Sequence, residues 1–261
     1  MTLVQAIIIA IIEGLTEFLP VSSTGHMILA SAAMDLHEDE FVKTFEVGIQ
    51  LGAILAIVLL YSDRFLKGIT IYVKLFVAFI PTAIIGFLAY EFIKEHLFNP
   101  VIVSISLIIG GIILIFIDKK VISQKSKILD LEKISYKNAF LIGFAQCFSM
   151  IPGTSRAAAT IIGGVFNGLD KKQATEFSFL LAVPTMIAAT GYDLIQSEIQ
   201  FSTPQLTQLL VGFVVAFFAA LLAVKIFLKI IQHHGFKSFG YYRIGLGILF
   251  LVYFLDADTF M

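Results

Sequence analysis

Two carboxylates, Glu13 and Glu17, lie in an otherwise apolar stretch near the N-terminus of this 261-residue chain. They are four residues apart, so both side chains lie on one face of a helix. Carboxylate oxygens are the ligands that Mg²⁺ and Ca²⁺ prefer, and we predict that Glu13 and Glu17 hold one of these ions. A soluble helix with a capping turn is the plain alternative. The flanking hydrophobicity instead favours membrane depth, where ionisable groups are costly and commonly functional.

The chain bends after these carboxylates, because Pro20 cannot continue the hydrogen-bond ladder of a helix. A second apolar run then begins, and the start of that half-helix presents free backbone N–H groups to an anion. The bend carries three hydroxyl side chains, a glycine and an imidazole: Ser22, Ser23, Thr24, Gly25 and His26. We predict that Ser22, Thr24 and Gly25 bind an anionic substrate.

A second polar bend lies in the other half of the chain, around Pro152. Its Arg156 offers a planar fork of donors that matches phosphate or carboxylate. A buried arginine needs an anionic partner, which either a carboxylate of the first bend or a substrate phosphate can provide. The other candidate substrate-binding residues here are a glycine and three hydroxyls: Gly153, Thr154, Ser155 and Thr160. Together the two bends outline a phosphoryl-transfer site.

The composition predicts a multi-spanning membrane protein. Apolar residues make up 58% of the chain, charged residues 14%, and the mean hydropathy is +0.94. That is too little charge for a soluble domain of this length. The net charge of −1 gives no electrostatic basis for a nucleic-acid partner. The single cysteine, Cys147, excludes an internal disulfide and forms no zinc-binding pattern.

We predict an all-α fold with six transmembrane helices and two re-entrant helical hairpins. The hairpins are the two apolar segments that a proline interrupts, Leu3–Ala33 and Ala139–Phe166, because each half is too short to cross alone. The six crossing segments are Phe45–Tyr61, Tyr72–Phe92, Val101–Ile117, Phe177–Ile195, Leu206–Leu228 and Ile244–Leu255.

The two halves of the chain look like copies of one another. Pro20 and Pro152 are 132 residues apart, and the same offset aligns Ser23 with Ser155. Each half has one hairpin and three crossings, and an odd number of crossings inverts the second half relative to the first. We therefore predict a single integral-membrane domain, 1–261, made of inverted repeat halves at approximately 1–130 and 131–261.

Charge asymmetry orients the predicted helices, because connections rich in lysine and arginine stay in the cytoplasm. The expected cytoplasmic connections are Ser62–Gly68, Lys119–Lys137 and Lys229–Arg243. The expected outer connections are Asp35–Glu40, Glu91–Asn99, Asp193–Gln205 and Asp256–Met261. In this orientation the first hairpin enters from outside and the second from the cytoplasm. The bends then meet near the bilayer midplane, and we expect the site to open to the outer face.

Four stretches closely resemble the undecaprenyl-diphosphate phosphatases of bacteria, the bacitracin-resistance type. They read EGLTEFLPVSSTGHM, TFEVGIQLGAILA, PGTSR followed by Thr160, and EFSFLLAVP, and the resemblance runs from about Val4 to Phe254. It implies an enzyme of the bacterial inner membrane that removes the terminal phosphate of undecaprenyl diphosphate. Such an enzyme recycles the lipid carrier for peptidoglycan synthesis, confers bacitracin resistance and depends on a divalent metal. The resemblance also implies a fold of interdigitated inverted repeats with re-entrant hairpins.

The same resemblance implies five catalytic residues: Glu13, Glu17, Ser23 as the proposed nucleophile, His26 and Arg156. Ala157 departs from the family pattern, which usually has serine directly after the arginine. A hydroxyl at that position is therefore not required here, and Ser155 or Thr160 can supply the missing contact.

Two alternatives stay open. A transporter or flippase of the same lipid is the alternative function, because inverted repeats with helices broken at the midplane are transporter architecture. The nucleophile is either Ser23 or a water activated by the metal. The expected partners are the polyprenyl diphosphate substrate and membrane lipids, with no nucleic acid, and a homodimer is compatible with this prediction.

Overall fold

The computed structural model describes residues 1–36, 38–66, 68–97, 99–122, 130–196 and 201–256, and the described residues form helices and no strand. The helices are α1 (Leu3–Thr16), α2 (Ser23–Ala33), α3 (Glu40–Leu60), α4 (Ser62–Leu66), α5 (Ile69–His96), α6 (Pro100–Ile122), α7 (Tyr136–Gln146), α8 (Arg156–Phe166), α9 (Lys171–Gln196), α10 (Thr203–His234) and α11 (Lys237–Asp256). Two short 3₁₀ helices, Leu131–Lys133 and Cys147–Met150, precede and follow α7. The predicted all-α class is confirmed.

Five of these helices, α3, α5, α6, α9 and α10, are long and apolar enough to cross a membrane, so the chain is a multi-pass membrane protein. The sixth predicted segment, Ile244–Leu255, lies within α11, which is 20 residues long. That helix is not among the five, since its first two turns carry Lys237 and Arg243 and lower its hydropathy. The count of six crossings stays a prediction.

Both proline-interrupted segments fold as pairs of short helices. α1 has 14 residues, whereas α2, α7 and α8 have 11 each. At about 1.5 Å of rise per residue these helices are roughly 16 to 21 Å long, which is shorter than the ~30 Å hydrocarbon core. None of the four is long enough to cross alone.

The first helix of each pair packs against the opposite half of the chain. α1 contacts α10, and α7 contacts α5, while α3 packs on α9 and α6 on α11. Glycine permits both close approaches. A Cβ at Gly14 of α1 would lie 2.5 Å from the carbonyl oxygen of Ala216 in α10, and a Cβ at Gly143 of α7 would overlap the carbonyl oxygen of Ala78 in α5. The halves therefore interlock.

A cluster of aromatic side chains packs against the first bend. Phe18 is fully buried, and its ring meets that of Phe179 in α9 edge-on, with centroids 5.5 Å apart. Phe179 in turn packs against Phe227 in α10 and Tyr61 after α3. This cluster joins elements from both halves directly beside the polar residues of the bends.

The predicted cytoplasmic connection Lys229–Arg243 is wrong at both ends. α10 runs to His234 and α11 starts at Lys237, so only two residues connect them. Gly235 turns the chain there with φ 68°. Lys229 therefore lies within α10, and Arg243 lies two turns inside α11, where it is fully buried. Parts of all six other predicted connections lie outside the described residues: one residue each in Asp35–Glu40, Ser62–Gly68 and Glu91–Asn99, and longer stretches in Lys119–Lys137, Asp193–Gln205 and Asp256–Met261.

Candidate active site

Each bend ends at a serine that caps the following half-helix. Ser22 caps α2 with φ 71° and accepts a hydrogen bond from the N–H of Gly25 at 3.3 Å. Ser155 caps α8 with φ 72° and accepts from the N–H of Ala158 at 3.2 Å. Positive φ is uncommon for residues other than glycine and is often found at functional sites. The two bends therefore share one backbone geometry.

This shared geometry corrects the predicted repeat register by one residue. The structurally matching serines are Ser22 and Ser155, which are 133 residues apart, rather than Ser23 and Ser155. The second bend has one more residue between its proline and its capping serine than the first bend has. An offset counted from the prolines therefore fails at the caps.

Glu17 joins the two bends. Its Oε2 accepts a hydrogen bond from Ser23 Oγ at 2.5 Å, and its Oε1 accepts one from Arg156 Nη2 at 2.7 Å. The side chains of Glu17 and Arg156 are only 7% and 10% exposed, so this ion pair is largely shielded from solvent. The predicted carboxylate partner of Arg156 in the first bend is therefore Glu17.

Arg156 has a donor atom, Nε, that could bind a ligand. Its guanidinium lies over the ring of Phe18, with Cζ 5.4 Å from the ring centroid, and its Nη1 donates weakly to the carbonyl of Ser178 at 3.4 Å. Its Nε is buried and has no hydrogen-bond partner among the described residues. Buried donors are nearly always satisfied, so this N–H is available to an anion that enters between the bends.

Glu13 is the least satisfied residue of the site. Its side chain is fully buried, and neither carboxylate oxygen has a hydrogen-bond partner among the described residues. It interacts electrostatically with two other carboxylates, Glu17 and Glu46, and with Arg156. An unpaired buried carboxylate is costly, so Glu13 needs a bound cation or a proton.

The donor set fits a divalent metal that the substrate helps to bind. Glu13 supplies two carboxylate oxygens that have no hydrogen-bond partner among the described residues, whereas those of Glu17 are already engaged by Ser23 and Arg156. Within the described ranges, no three His, Cys, Asp or Glu side chains converge on one point. Mg²⁺ commonly binds through one or two carboxylates and completes its shell with phosphate oxygens and water. Glu13, with or without Glu17, suits that mode.

His26 is held in a defined orientation. Its Nδ1 lies 2.7 Å from the carbonyl oxygen of Ser22, which can only accept, so Nδ1 carries a proton. Its Nε2 lies 2.6 Å from the hydroxyl of Tyr242, and the two rings are stacked. Ser23 bonds to Glu17 instead, which makes Glu17 the nearer base for its proton.

Of the remaining predicted binding residues, some pack against neighbouring helices and others lie beside Ser23. Thr160 is fully buried, and its hydroxyl bonds to Ser178 Oγ at 2.6 Å and to backbone carbonyls of α8. It therefore joins α8 to α9 and does not face a ligand. Gly153 has φ 88°, and a Cβ there would overlap the carbonyl oxygen of Val103 in α6. Thr24 is partly exposed beside Ser23.

Two residues of α11 belong to the site although the sequence did not indicate them. Tyr242 contacts His26, and Arg243 donates to the carbonyls of Pro20 at 3.1 Å and Thr154 at 2.9 Å. The available signal was the arginine itself, which stands in a glycine-rich apolar segment instead of a cluster of charges. A charge in such a setting commonly faces the protein interior.

Comparisons with known proteins find matches over nearly the full length of this chain. A profile of the family described as Bacitracin resistance protein BacA matches residues 6–249. An undecaprenyl-diphosphatase of Wolinella succinogenes is 53% identical over 253 residues, which cover 97% of this chain and 98% of that protein. Those of Persephonella marina and Aquifex aeolicus are 51% and 48% identical, over 98% of this chain and 100% of each relative. The chain therefore belongs to the bacitracin resistance protein BacA family.

Proposed function

We propose that this chain is an undecaprenyl-diphosphatase, which hydrolyses undecaprenyl diphosphate to undecaprenyl phosphate and inorganic phosphate and so recycles the lipid carrier. The observation that carries the proposal is the contact of Glu17 with both Ser23 and Arg156 across the two bends. A buried carboxylate beside a hydroxyl and an arginine provides a base, a nucleophile and an anion-binding group at one point. The names of the relatives at about half identity support the same activity.

The substrate phosphate binds between the starts of α2 and α8. The start of a helix presents backbone N–H groups to an anion, and the Nε of Arg156, which has no partner among the described residues, would add a charged donor. Glu13, with or without Glu17, would hold a divalent ion, Mg²⁺ or Ca²⁺, which when bound would neutralise charge on the phosphate oxygens. The polyprenyl tail extends into the surrounding lipid.

Ser23 is the proposed nucleophile. Glu17 takes the hydroxyl proton across the 2.5 Å hydrogen bond as Ser23 Oγ forms a bond to the terminal phosphorus. The bond from that phosphorus to the bridging oxygen breaks, and undecaprenyl phosphate leaves with the electron pair. Water then attacks the phosphoserine, Ser23 regains a proton, and inorganic phosphate is released. In the rival mechanism water attacks directly and Ser23 only orients the phosphate.

We further propose six crossings and two re-entrant hairpins in an inverted repeat, located in the bacterial inner membrane with the site open to its outer face. The shortness of α1, α2, α7 and α8 supports the hairpins. The repeated order of elements and the exchanged packing of α1 on α10 and α7 on α5 support the repeat. A homodimer is compatible with this arrangement.

Release of phosphate by the purified protein tests the proposed function. In detergent micelles with undecaprenyl diphosphate and Mg²⁺, we expect equal amounts of inorganic phosphate and undecaprenyl phosphate, and we expect a chelator to stop both reversibly. Micelles have no second compartment, so a flippase alone would release nothing. Absence of phosphate release from well-folded protein would leave the transporter as the better hypothesis.

A further inference from the structure

Arg243 is a fully buried arginine that, among the described residues, makes no hydrogen bond to a carboxylate. Its five guanidinium N–H groups instead all donate to peptide carbonyls. The five acceptors, at 2.9 to 3.3 Å, are the carbonyl oxygens of Pro20, Ser106, Leu107, Gly153 and Thr154. A guanidinium has five N–H donors, so none is left for a ligand.

The five acceptors come from three separate parts of the fold. Pro20 belongs to the first bend, Gly153 and Thr154 belong to the second, and the other two acceptors are in α6. α6 also makes room for the side chain, because a Cβ at Gly110 would overlap the guanidinium of Arg243. One side chain of α11 thus connects both bends to each other and to a spanning helix.

This arrangement provides hydrogen-bond donors for backbone carbonyls at the two bends. Where a helix start turns its N–H groups toward an anion, the carbonyls of the preceding turn face away and must be satisfied elsewhere. Buried between both bends, a rigid planar fork can satisfy the carbonyls of both at fixed angles. The charge of Arg243 remains close enough to interact with His26 and adds positive potential to a site for an anionic substrate.

We infer that Arg243 is a positioning residue that sets the distance and angle between the two bends. The inference rests on the proposed phosphatase activity. Arg243 does not touch the substrate. It aligns the bend that carries Ser23 with the bend that carries Arg156, so that nucleophile and anion-binding donors meet at one phosphorus atom. Misplacement of reacting groups by about 1 Å can cost on the order of a hundredfold in rate.

Two variants test this inference by different routes. Arg243→Lys keeps the charge but supplies only three donors, and Gly110→Ala keeps the arginine but displaces its guanidinium. We expect each to lower kcat by about ten- to a hundredfold, with KM changed by less than about threefold. Arg64→Lys is the matched control, because Arg64 pairs with Glu176 away from the bends, and we expect its kcat to stay within about twofold.

The kinetic constants must be expressed per folded molecule, measured as the monodisperse fraction after size-exclusion chromatography. A lower kcat per folded molecule in either variant supports positioning. If activity falls only in proportion to the folded fraction, Arg243 is merely structural and the inference is wrong. It is equally wrong if both variants retain full kcat, or if only KM rises. Failure of the wild-type protein to release phosphate would instead refute the proposed function.

Discussion

At the scale of single residues, the contacts of Glu17 determine where a substrate phosphate can bind. Its carboxylate already holds Arg156 and Ser23, and breaking a buried ion pair by removing one partner costs about 3–5 kcal/mol. An entering phosphate is therefore more favourably bound beside this pair than in place of it. The Nε of Arg156, which has no hydrogen-bond partner among the described residues, is a donor that can serve this purpose.

Replacement of Ser23 separates the two mechanisms. We expect Ser23→Ala to reduce phosphate release to background, because the proposed route has no other nucleophile at this position. If Ser23 only orients the phosphate, the loss is one hydrogen bond to a charged group, about 1.5–3 kcal/mol, or roughly ten- to a hundredfold in rate. Ser104→Ala is the control, because that hydroxyl bonds within α6 to the carbonyl of Pro100. A few per cent of residual activity with unchanged metal dependence would point to direct attack by water.

Local sequence patterns were sufficient to locate the two bends but not the residues that support them. Pro20 and Pro152 interrupt apolar runs, and the polar residues around them stand out from that background. The glycine-rich apolar setting of Arg243 indicates at most that this arginine faces the protein interior. It cannot indicate which groups the arginine contacts, because all five acceptors come from distant parts of the chain. Non-local contacts of this kind require the fold.

At the scale of elements, each half contributes one short helix that is inserted against the other half. α1 packs on α10 and α7 on α5, and a glycine lies at each contact, Gly14 and Gly143. The sequence predicted both helix pairs from their length and their prolines. It did not predict which helix α1 or α7 would contact, because a glycine permits a close approach but does not indicate the helix that approaches.

The contact of α7 with α5 gives a prediction about stability. Gly143→Ala places a methyl group where the carbonyl oxygen of Ala78 lies, so the helices must separate. We expect a lower thermal unfolding midpoint in detergent, with a destabilisation of about 1–3 kcal/mol. Gly191→Ala in α9 is the matched control, because a Cβ there meets no atom within 4 Å, and alanine favours helix more than glycine does. An equal or higher midpoint for Gly143→Ala would contradict the described packing.

At the scale of the whole molecule, the proposed orientation determines which side of the membrane the site serves. The bend of the first half carries the carboxylates and Ser23, and we propose that its hairpin enters from the outer face. Burial of Arg243 removes one positive charge from the predicted cytoplasmic side. The lysine-rich connection before α7 still supports the remaining cytoplasmic assignments.

Labelling with a membrane-impermeant thiol reagent tests this orientation. In a Cys147→Ser background on intact bacterial cells, we expect Glu38→Cys and Thr203→Cys to react. Lys133→Cys should react only after the membrane is permeabilised. All three positions are exposed in the structure, so access depends on the side of the membrane and not on burial. Reaction of Lys133→Cys alone on intact cells would reverse the proposed topology.

The most direct test of the account is the phosphate-release rate of Glu17→Gln, compared with wild type under saturating Mg²⁺. Glu17 is the point where both bends and the proposed base meet, and glutamine keeps its shape while removing its charge. We predict a fall to background in protein that still purifies as a folded species, whereas Glu40→Gln, an exposed carboxylate paired with Lys43, keeps full activity. Near-wild-type phosphate release by folded Glu17→Gln would contradict the account.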